Sequence, residues 1–339
     1  SVFYGCYSLV NVTLPDSVTT LGDSVFANCT GLTNVMVSSG VTTFGDSVFS
    51  GCSSLVRVTG VTTFGSFMFN SCYALTSFDI SSNVTDIGSG AFYNCTGLTN
   101  VTMDAGLLTI GDNAFAACSS LTSVTIPAGV TTIGASAFDS CCGLTNVAMD
   151  AALVSIGDCA FNYCYGLSRV TIPTNVTYLG YGAFCNCYSL KSVTIPASLT
   201  SLSEEAFGCC YSLARVYFRG DAPWMNYMTF DSAEAPPVLY YLPGTSGWED
   251  AANNTGLQAV LWNPVIQPGT LGFGPIDSGY YFNVTGTPNI PVEVDSCTDL
   301  AVGDWASLLT TILNGDGSLD FTDSSYTNSP ARYYRISGP

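Results

Sequence analysis

Apolar and polar residues alternate along this chain in short runs. In the representative stretch AFAACSSLTSVTIPAGVTTIG, the apolar positions include Leu121, Val124 and Ile126. The polar Ser123 and Thr125 stand between them. Successive side chains of a strand point to opposite faces, so this pattern predicts a short strand that buries the apolar set and exposes the polar set.

The residues after this strand predict a turn and a second extended segment. Pro127 ends the strand because proline has no N–H to donate to a neighbour. Residues 130–133 predict a second, shorter strand, which closes on Gly134, a natural site for a positive φ. In several units an Asp follows this glycine, as Asp112 and Asp158 do. We expect that Asp to be the N-cap of one short helical turn.

The same pattern recurs as an internal repeat. The motif F-x-x-C-x-x-L occurs ten times within residues 1–218, and eight of its nine intervals are 23 residues long. The interval from Phe49 to Phe69 is 20 residues, because three residues are missing between the two strands near residues 58–61. We expect the stack to bend or shift there. One unit alone cannot bury enough apolar surface to fold, so the repeat predicts a mainly β solenoid of about ten coils.

The unit L-x-x-V-x-I-P-x-x-V-x-x-I-G-x-x-A-F-x-x-C resembles the BspA-like leucine-rich repeat, which is found in secreted and surface-displayed proteins of bacteria and some protists. The resemblance covers about two thirds of the chain and implies a leucine-rich-repeat solenoid. Members of that family are associated with adhesion to host or matrix proteins and with cell-surface structures. The resemblance therefore implies an extracellular or cell-surface location. No catalytic residue belongs to the motif, so it implies no enzyme activity.

Beyond the repeat, composition divides the chain further. Residues 219–262 are rich in large aromatic residues, and we interpret them as a cap on the last coil. Residues 263–279 are rich in Pro and Gly and predict a linker. Residues 280–339 contain strand-like runs separated by turn residues, which predict a small all-β sandwich. The order of motifs in this last segment resembles a C-terminal module attached to secreted bacterial repeat proteins.

The charge and residue composition exclude several functional classes. The chain has 7 Lys and Arg against 25 Asp and Glu, a net charge of −18, and no His. So few cations exclude a charge-driven grip on nucleic acid or on anionic lipid. The absence of His excludes the usual catalytic triads and His-ligated metals. No apolar run approaches the roughly 20 residues that span a bilayer. We therefore expect no catalytic residue, no cofactor, no metal site and no membrane insertion.

Fourteen of the 15 cysteines fall into two groups, and Cys297 lies apart in the C-terminal β segment. Ten share one column, three residues after each motif Phe, where parallel stacking gives poor disulfide geometry. We expect buried thiols in this column, and a disulfide or metal ladder is the alternative. Four others lie off the column in the last four units, where one or two bridges would join adjacent coils. These candidate disulfide cysteines are Cys142, Cys159, Cys185 and Cys209.

Three of the four cations of the solenoid share one column on the outward-facing side of the first strands, which we call the strand face. Two residues after each motif Leu the chain places a polar residue, and three of these ten positions are Arg. With the adjacent Lys and an aromatic residue two positions further on, they form a candidate strip for an acidic partner or a glycan. The strip comprises Arg57, Arg169, Lys191, Arg215 and Tyr217. The alternative is an ordinary solvated face of Thr and Asn.

The first residues of the chain lie inside a unit, so the first strand has no preceding coil. We expect the edge that contains Val10, Val12 and Leu14 to pair with another chain. A head-to-tail contact that does not close produces a filament. An N-terminal cap that has been removed, or that lies outside this sequence, explains the same end equally well.

Sequons of the type N-x-S/T provide candidate glycosylation sites. Attached sugar would help to solubilise a surface with so little charge. The candidates are Asn11, Asn83, Asn100, Asn175, Asn253 and Asn283. Because the chain is rich in Asn, Ser and Thr, many N-x-S/T sequences are also expected to arise by chance.

These observations lead to two functional hypotheses. The first is a non-enzymatic extracellular or cell-surface structural protein. Its solenoid ends and C-terminal module would bind copies of itself and form a fibre or a surface layer. The second is an adhesin that binds a host protein, a matrix protein or a glycan through the strand face.

Overall fold

A computed structural model describes residues 1–150, 152–231, 236–268, 274–276, 279–326 and 332–338. The chain forms two compact units. The first comprises Ser1–Leu239 and Ser246–Gln258, and the second comprises Tyr240–Thr245 and Ala259–Pro339.

Each coil of the first unit has three sides, and the first side is a short strand. Leu121 is fully buried and Val124 is 2% exposed, whereas Ser123 lies on the surface. The predicted inward and outward positions of this strand are therefore confirmed. The first-side strands are β1 (Asn11–Thr13), β3 (Asn34–Met36), β5 (Arg57–Thr59), β6 (Ser77–Ile80), β8 (Asn100–Met103), β10 (Ser123–Thr125), β12 (Asn146–Ala148), β14 (Arg169–Thr171), β16 (Ser192–Ile195) and β17 (Arg215–Phe218), followed by β18 (Val238–Tyr241).

First-side strands pair in parallel, each with its equivalent one repeat away. Asn11 lies opposite Asn34, which lies opposite Arg57. Within the described residues the ladder is interrupted between β5 and β6, between β8 and β10, and between β12 and β14. The first of these breaks coincides with the 20-residue unit, where the sequence predicts a bend or shift.

The second side of a coil is a strand of two residues. These strands are β2 (Thr20–Leu21), β4 (Thr43–Phe44), β7 (Asp86–Ile87), β9 (Thr109–Ile110), β11 (Thr132–Ile133), β13 (Ser155–Ile156) and β15 (Tyr178–Leu179). Strands β7, β9, β11, β13 and β15 form one parallel sheet, and β2 pairs with β4. In the 20-residue unit, residues 60–69 are all described and form no second-side strand.

The third side carries the motif Phe and differs from the helical turn that we expected. The residues two positions before and after Phe115 have positive φ: Asn113 at 57° and Ala117 at 60°. The N–H of Asn113 donates to the carbonyl oxygen of Ala135 in the next coil (2.8 Å), and the N–H of Phe115 donates to that of Ala137 (2.7 Å). A helix would satisfy these donors within its own segment. The third side is therefore another hydrogen-bonded ladder between coils.

The Asp that recurs after the turn glycine takes part in this ladder. Oδ1 of Asp112 accepts a hydrogen bond from the N–H of Ala135 at 2.7 Å. Oδ1 of Asp158 accepts one from the N–H of Tyr181 at 2.9 Å. The N-cap prediction was therefore wrong, because the carboxylate binds the N–H of the next coil and not that of its own turn.

Stacked phenylalanine rings fill the core of the first unit. From Phe3 to Phe207, neighbouring motif rings have centroids 5.1–5.7 Å apart and interplanar angles of 1–16°. The rings from Phe26 to Phe207 are at most 1% exposed. Each ring thus contacts the rings of both adjacent coils, so the coils share one continuous core.

The ladder continues into the segment that we interpreted as a cap. Phe230 stacks on Phe207 at 5.6 Å. The N–H of Phe207 donates to the carbonyl oxygen of Thr229 at 3.0 Å. Phe230 lies 230 − 207 = 23 residues after Phe207, but Ala233 stands where the other units have Cys. The segment 219–262 therefore begins with an eleventh coil, which lacks the full F-x-x-C-x-x-L motif.

One helix follows the eleventh coil. This helix, α1 (Trp248–Thr255), carries Trp248, whose ring packs against Phe218 at 4.8 Å and an angle of 62°. Both side chains are buried, at 6% and 2% exposure. The helix therefore covers apolar surface of the tenth coil, as expected of a cap.

The second unit consists of two antiparallel sheets. Strand β19 (Ala259–Leu261) pairs with β18 and belongs to neither of these sheets. Their strands are β20 (Val265–Gln267), β21 (Gly274–Ile276), β22 (Gly279–Thr285), β23 (Pro291–Cys297), β24 (Ala306–Ile312), β25 (Ser318–Asp323) and β26 (Tyr333–Ser337). Strand β22 pairs with β20, β21 and β25, and β23 lies between β24 and β26. Phe282 of one sheet meets Tyr334 of the other at 5.2 Å. This is the predicted small β sandwich.

Two strands of this sandwich, β20 and β21, lie in the segment 263–279 that composition predicts to be a linker. Ile266 pairs with Val284, and Pro275 pairs with Tyr280. Both strands are three residues long. A strand this short adds too few apolar positions to stand out against a background of Pro and Gly.

Candidate partner-binding site

Three cations lie close together on the strand face of the last coils. Arg169 on β14 is in register with Ser192 on β16, and Ser192 is in register with Arg215 on β17. Two strand spacings separate the Cα atoms of Arg169 and Arg215 by about 10 Å. Lys191 precedes Ser192 and is exposed, as is Arg169, whereas Arg215 is half-buried. We call Arg169, Lys191 and Arg215 the cationic strip.

The cationic strip lies in the least acidic part of the solenoid. Residues 162–218 contain its three cations and two acids, Glu204 and Glu205, a local balance of 3 − 2 = +1. Residues 1–161 contain ten Asp and the single cation Arg57, a balance of 1 − 10 = −9. Salt screens charges over about 8 Å under physiological conditions. An acidic group at the strip therefore experiences the local charge more than the net charge of the chain.

The structure separates the other two members of the predicted strip from these cations. Arg57 is exposed on β5, five coils before Arg169, which corresponds to about 24 Å at one strand spacing per coil. Tyr217 is only 4% exposed, and Thr194, which lies opposite it on β16, is half-buried. The strand face is thus covered at Tyr217, and the prediction that this side chain faces a partner was wrong.

The column cysteines form a ladder of their own beside the phenylalanines. The thiol of Cys118 donates to the carbonyl oxygen of Phe92, with Sγ 3.2 Å from the oxygen, and Cys141 does the same to Phe115 at 3.2 Å. Burial raises the pKa of Cys52 and of Cys95 to about 12. Thiols held neutral in this way are poor nucleophiles and poor metal ligands, so this column is structural.

A family model described as the BspA type leucine rich repeat region matches residues 1–122 and 108–234, with six copies. The chain belongs to the BspA-type leucine-rich repeat family. The match extends past Phe218 and includes the eleventh coil. A search of curated proteins finds no match.

Three of the solved structures that resemble the chain are bacterial proteins. A leucine-rich repeat protein from Bacteroides ovatus is 20% identical, covers 77% of this chain and 86% of its own, and has a TM-score of 0.46. A leucine-rich cell surface protein from Faecalibacterium prausnitzii is 23% identical, with coverages of 73% and 82% and a TM-score of 0.40. The pneumococcal vaccine antigen PcpA is 17% identical, with coverages of 75% and 79% and a TM-score of 0.46.

The off-column cysteines of this BspA-type solenoid are partly grouped. A methyl group placed on Gly182 would lie 3.4 Å from Sγ of Cys159 and 3.5 Å from Cβ of Cys185. Burial and then the neighbouring Cys209 raise the pKa of Cys185 to about 12. The thiol of Cys142 donates to the carbonyl oxygen of Ser140, two residues earlier in the chain, with Sγ 3.4 Å from the oxygen. All four are thiols in the structure, and a bridge among them stays a prediction.

The candidate glycosylation sites differ in exposure. The amide nitrogen of Asn283 donates to the carbonyl oxygen of Leu319 at 3.1 Å and to Oδ1 of Asp320 at 3.0 Å. A sugar attached to that nitrogen would replace one of its two hydrogens, so the nitrogen could no longer donate both of these hydrogen bonds. The exposed candidates are Asn11, Asn83, Asn100, Asn175 and Asn253. Their glycosylation stays a prediction.

The first coil of the BspA-type solenoid exposes its motif Phe, which later coils bury. Val12 and Leu14 are half-buried, and Val10 is 50% exposed, much as its counterpart Val56 is at 49%. Phe3 is 44% exposed, compared with 1% for Phe26. This is the edge at which the sequence predicts self-association, and that pairing stays a prediction.

Neither a metal centre nor a membrane span is found in the described part of the chain. No three His, Cys, Asp or Glu side chains there are arranged to hold a metal ion. No helix among the same residues has the length and apolarity to cross a bilayer.

Proposed function

We propose that this protein is a non-enzymatic, adhesin-like protein of the cell surface or extracellular space, which binds an acidic partner through the cationic strip. The observation that carries this proposal is the register of Arg169, Ser192 and Arg215 on three adjacent strands. The family resemblance supports the surface location and the adhesive role.

The geometry of the cationic strip suits a carboxylate-rich surface. Backbone ladders between the coils fix the spacing of β14, β16 and β17, so the strand positions that carry these cations are set before a partner arrives. Binding then costs less conformational entropy than it would on a mobile loop. Arginine also presents a planar fork that binds a carboxylate through two parallel hydrogen bonds. Such a strip can therefore select an acidic surface by both charge and spacing.

Reversal of the strip is expected to weaken binding of an acidic probe. In the triple variant Arg169→Glu, Lys191→Glu, Arg215→Glu, affinity for an immobilised deca-glutamate peptide should fall at least about tenfold at low salt, because attraction becomes repulsion. The difference should shrink as salt rises. Biolayer interferometry at two salt concentrations measures both effects.

The matched control for the strip is Arg57→Glu, which changes the same column five coils away. It should leave deca-glutamate binding unchanged. All variants should keep the wild-type melting temperature to within a few degrees, since surface substitutions change stability little. A triple variant that binds the peptide as tightly as the wild type does would exclude the strip as the contact surface.

A second candidate function is self-association into a fibre or surface layer, and the low charge of the chain, with 9% of its residues charged, favours it. We expect the wild-type protein to form higher assemblies in multi-angle light scattering. A wild-type protein that is monomeric at all concentrations would contradict self-association.

A further inference from the structure

The 20-residue unit opens a cleft on the strand face, and a second, smaller cleft lies beside it. The larger, of about 630 Å³, lies where β5 and β6 are not paired, and the smaller, of about 420 Å³, lies over β1, β3 and β5. Arg57 and Thr59 line both clefts. The chain leaves β5 through Gly60 at φ 83°, and a Cβ there would stand 2.2 Å from the carbonyl oxygen of Val37. The tight turn that shortens the unit thus depends on glycine.

The only cation of residues 1–168 stands at these clefts. Arg57 is the single Lys or Arg in that half of the chain, among ten Asp. Its side chain is exposed, and none of the described residues forms an ion pair or a hydrogen bond with it. The guanidinium is therefore available to a ligand.

The rest of the larger cleft is lined mainly by hydroxyl groups and one carboxylate. Oδ1 of Asp79 accepts a hydrogen bond from Oγ1 of Thr102 at 2.5 Å, which orients the carboxylate. The buried ring of Phe78 also lines the cleft. The hydroxyl-bearing lining residues are Thr59, Thr62, Thr76, Ser77 and Ser81. This lining offers both donors and acceptors to a ligand with several hydroxyl groups.

The chemistry of the cleft selects among ligand classes. One guanidinium binds one carboxylate, through two parallel hydrogen bonds. A polyanion would meet ten Asp in the same half of the chain and be repelled. A cleft of about 630 Å³ is of the size that holds small ligands. We propose that the 20-residue unit forms a binding site for a saccharide with a single carboxylate, held by Arg57 and by the hydroxyl groups and Asp79 around it. This site is separate from the cationic strip.

Binding of sugar acids to the full chain tests this proposal. The probes are glucuronic acid, galacturonic acid and N-acetylneuraminic acid, with glucose as the neutral comparison, measured by saturation-transfer NMR and calorimetry. At least one acid should bind at least tenfold more tightly than glucose. The variant Arg57→Gln should lose that binding, and Arg169→Gln should keep it.

A second variant tests the cleft while Arg57 stays in place. Inserting Ile-Pro-Ala between Thr59 and Gly60 restores the 23-residue unit, in the pattern of Ile126, Pro127 and Ala128. It should close the larger cleft and abolish binding, with the melting temperature unchanged or higher. Three outcomes would overturn the proposal: no binding of any sugar acid, full binding by Arg57→Gln, or equal binding of a short neutral peptide through its C-terminal carboxylate.

Discussion

Raising the pH from 8 to 10 is expected to lower the free energy of unfolding of the solenoid by several kcal/mol. The cause is the column of buried thiols. The ordinary pKa of 9.0 applies to the unfolded chain, and burial raises the pKa of Cys52 and Cys95 to about 12 in the folded protein. Above pH 9 the unfolded chain therefore loses protons that the folded chain keeps, and unfolding is favoured.

The sign and size of this effect follow from the direction of the shift. A group with a raised folded pKa stabilises the fold fully below its unfolded pKa, and that contribution is lost as the pH rises toward the folded value. At pH 10, one unit above 9.0, each such thiol costs about 1–2 kcal/mol. Cys52 and Cys95 together contribute about 3 kcal/mol. Burial raises the pKa of other column thiols too, among them Cys72, Cys118 and Cys164.

Urea midpoints at pH 8 and pH 10 measure this loss. The matched variant carries Cys52→Ser and Cys95→Ser, because a hydroxyl can donate to the same carbonyl oxygens, those of Phe26 and Phe69, without titrating. Its stability should fall by about 3 kcal/mol less than that of the wild type between the two pH values. An unchanged pH dependence in the double variant would assign the effect to other groups, such as the tyrosines.

The two strand-bearing sides of each coil could be predicted from the sequence because burial there follows the local alternation of side chains. Val124 and Ile126 face inward for this reason. The third side could not be predicted in the same way. Its ladder requires positive φ at positions occupied by residues as different as Asn113, Ala117 and Glu205. No residue type marks that backbone, and only the contacts between coils stabilise it.

Long-range packing also explains the other differences. Tyr217 belongs to an outward-facing column of the strand, yet it is buried, which the alternation of side chains along the strand does not predict. The eleventh coil was missed since Phe230 keeps the ring of the motif but not its Cys. For the cations, the column correctly indicated one face, but distance along the stack separates Arg57 from Arg169.

Phe115→Ala is expected to destabilise the solenoid by about 3–5 kcal/mol. The ring of Phe115 is fully buried, and it stacks on Phe92 at 5.1 Å and on Phe138 at 5.3 Å. The backbone bond from its N–H to Ala137 does not need the ring, so the loss isolates ring packing and the cavity left behind. Because each coil contacts only its neighbours, the defect should also divide the stack.

Urea unfolding followed by circular dichroism measures the cost of Phe115→Ala, and limited proteolysis locates the opening. The matched control is Phe3→Ala, which removes the same side chain from a position that is 44% exposed and stacks only on Phe26. Its cost should be about 1 kcal/mol, since most of a core substitution penalty comes from burial and cavity formation. We expect Phe115→Ala to unfold in two transitions, with early cleavage near the sixth coil. Equal costs for the two variants would show that the ring ladder does not couple the coils.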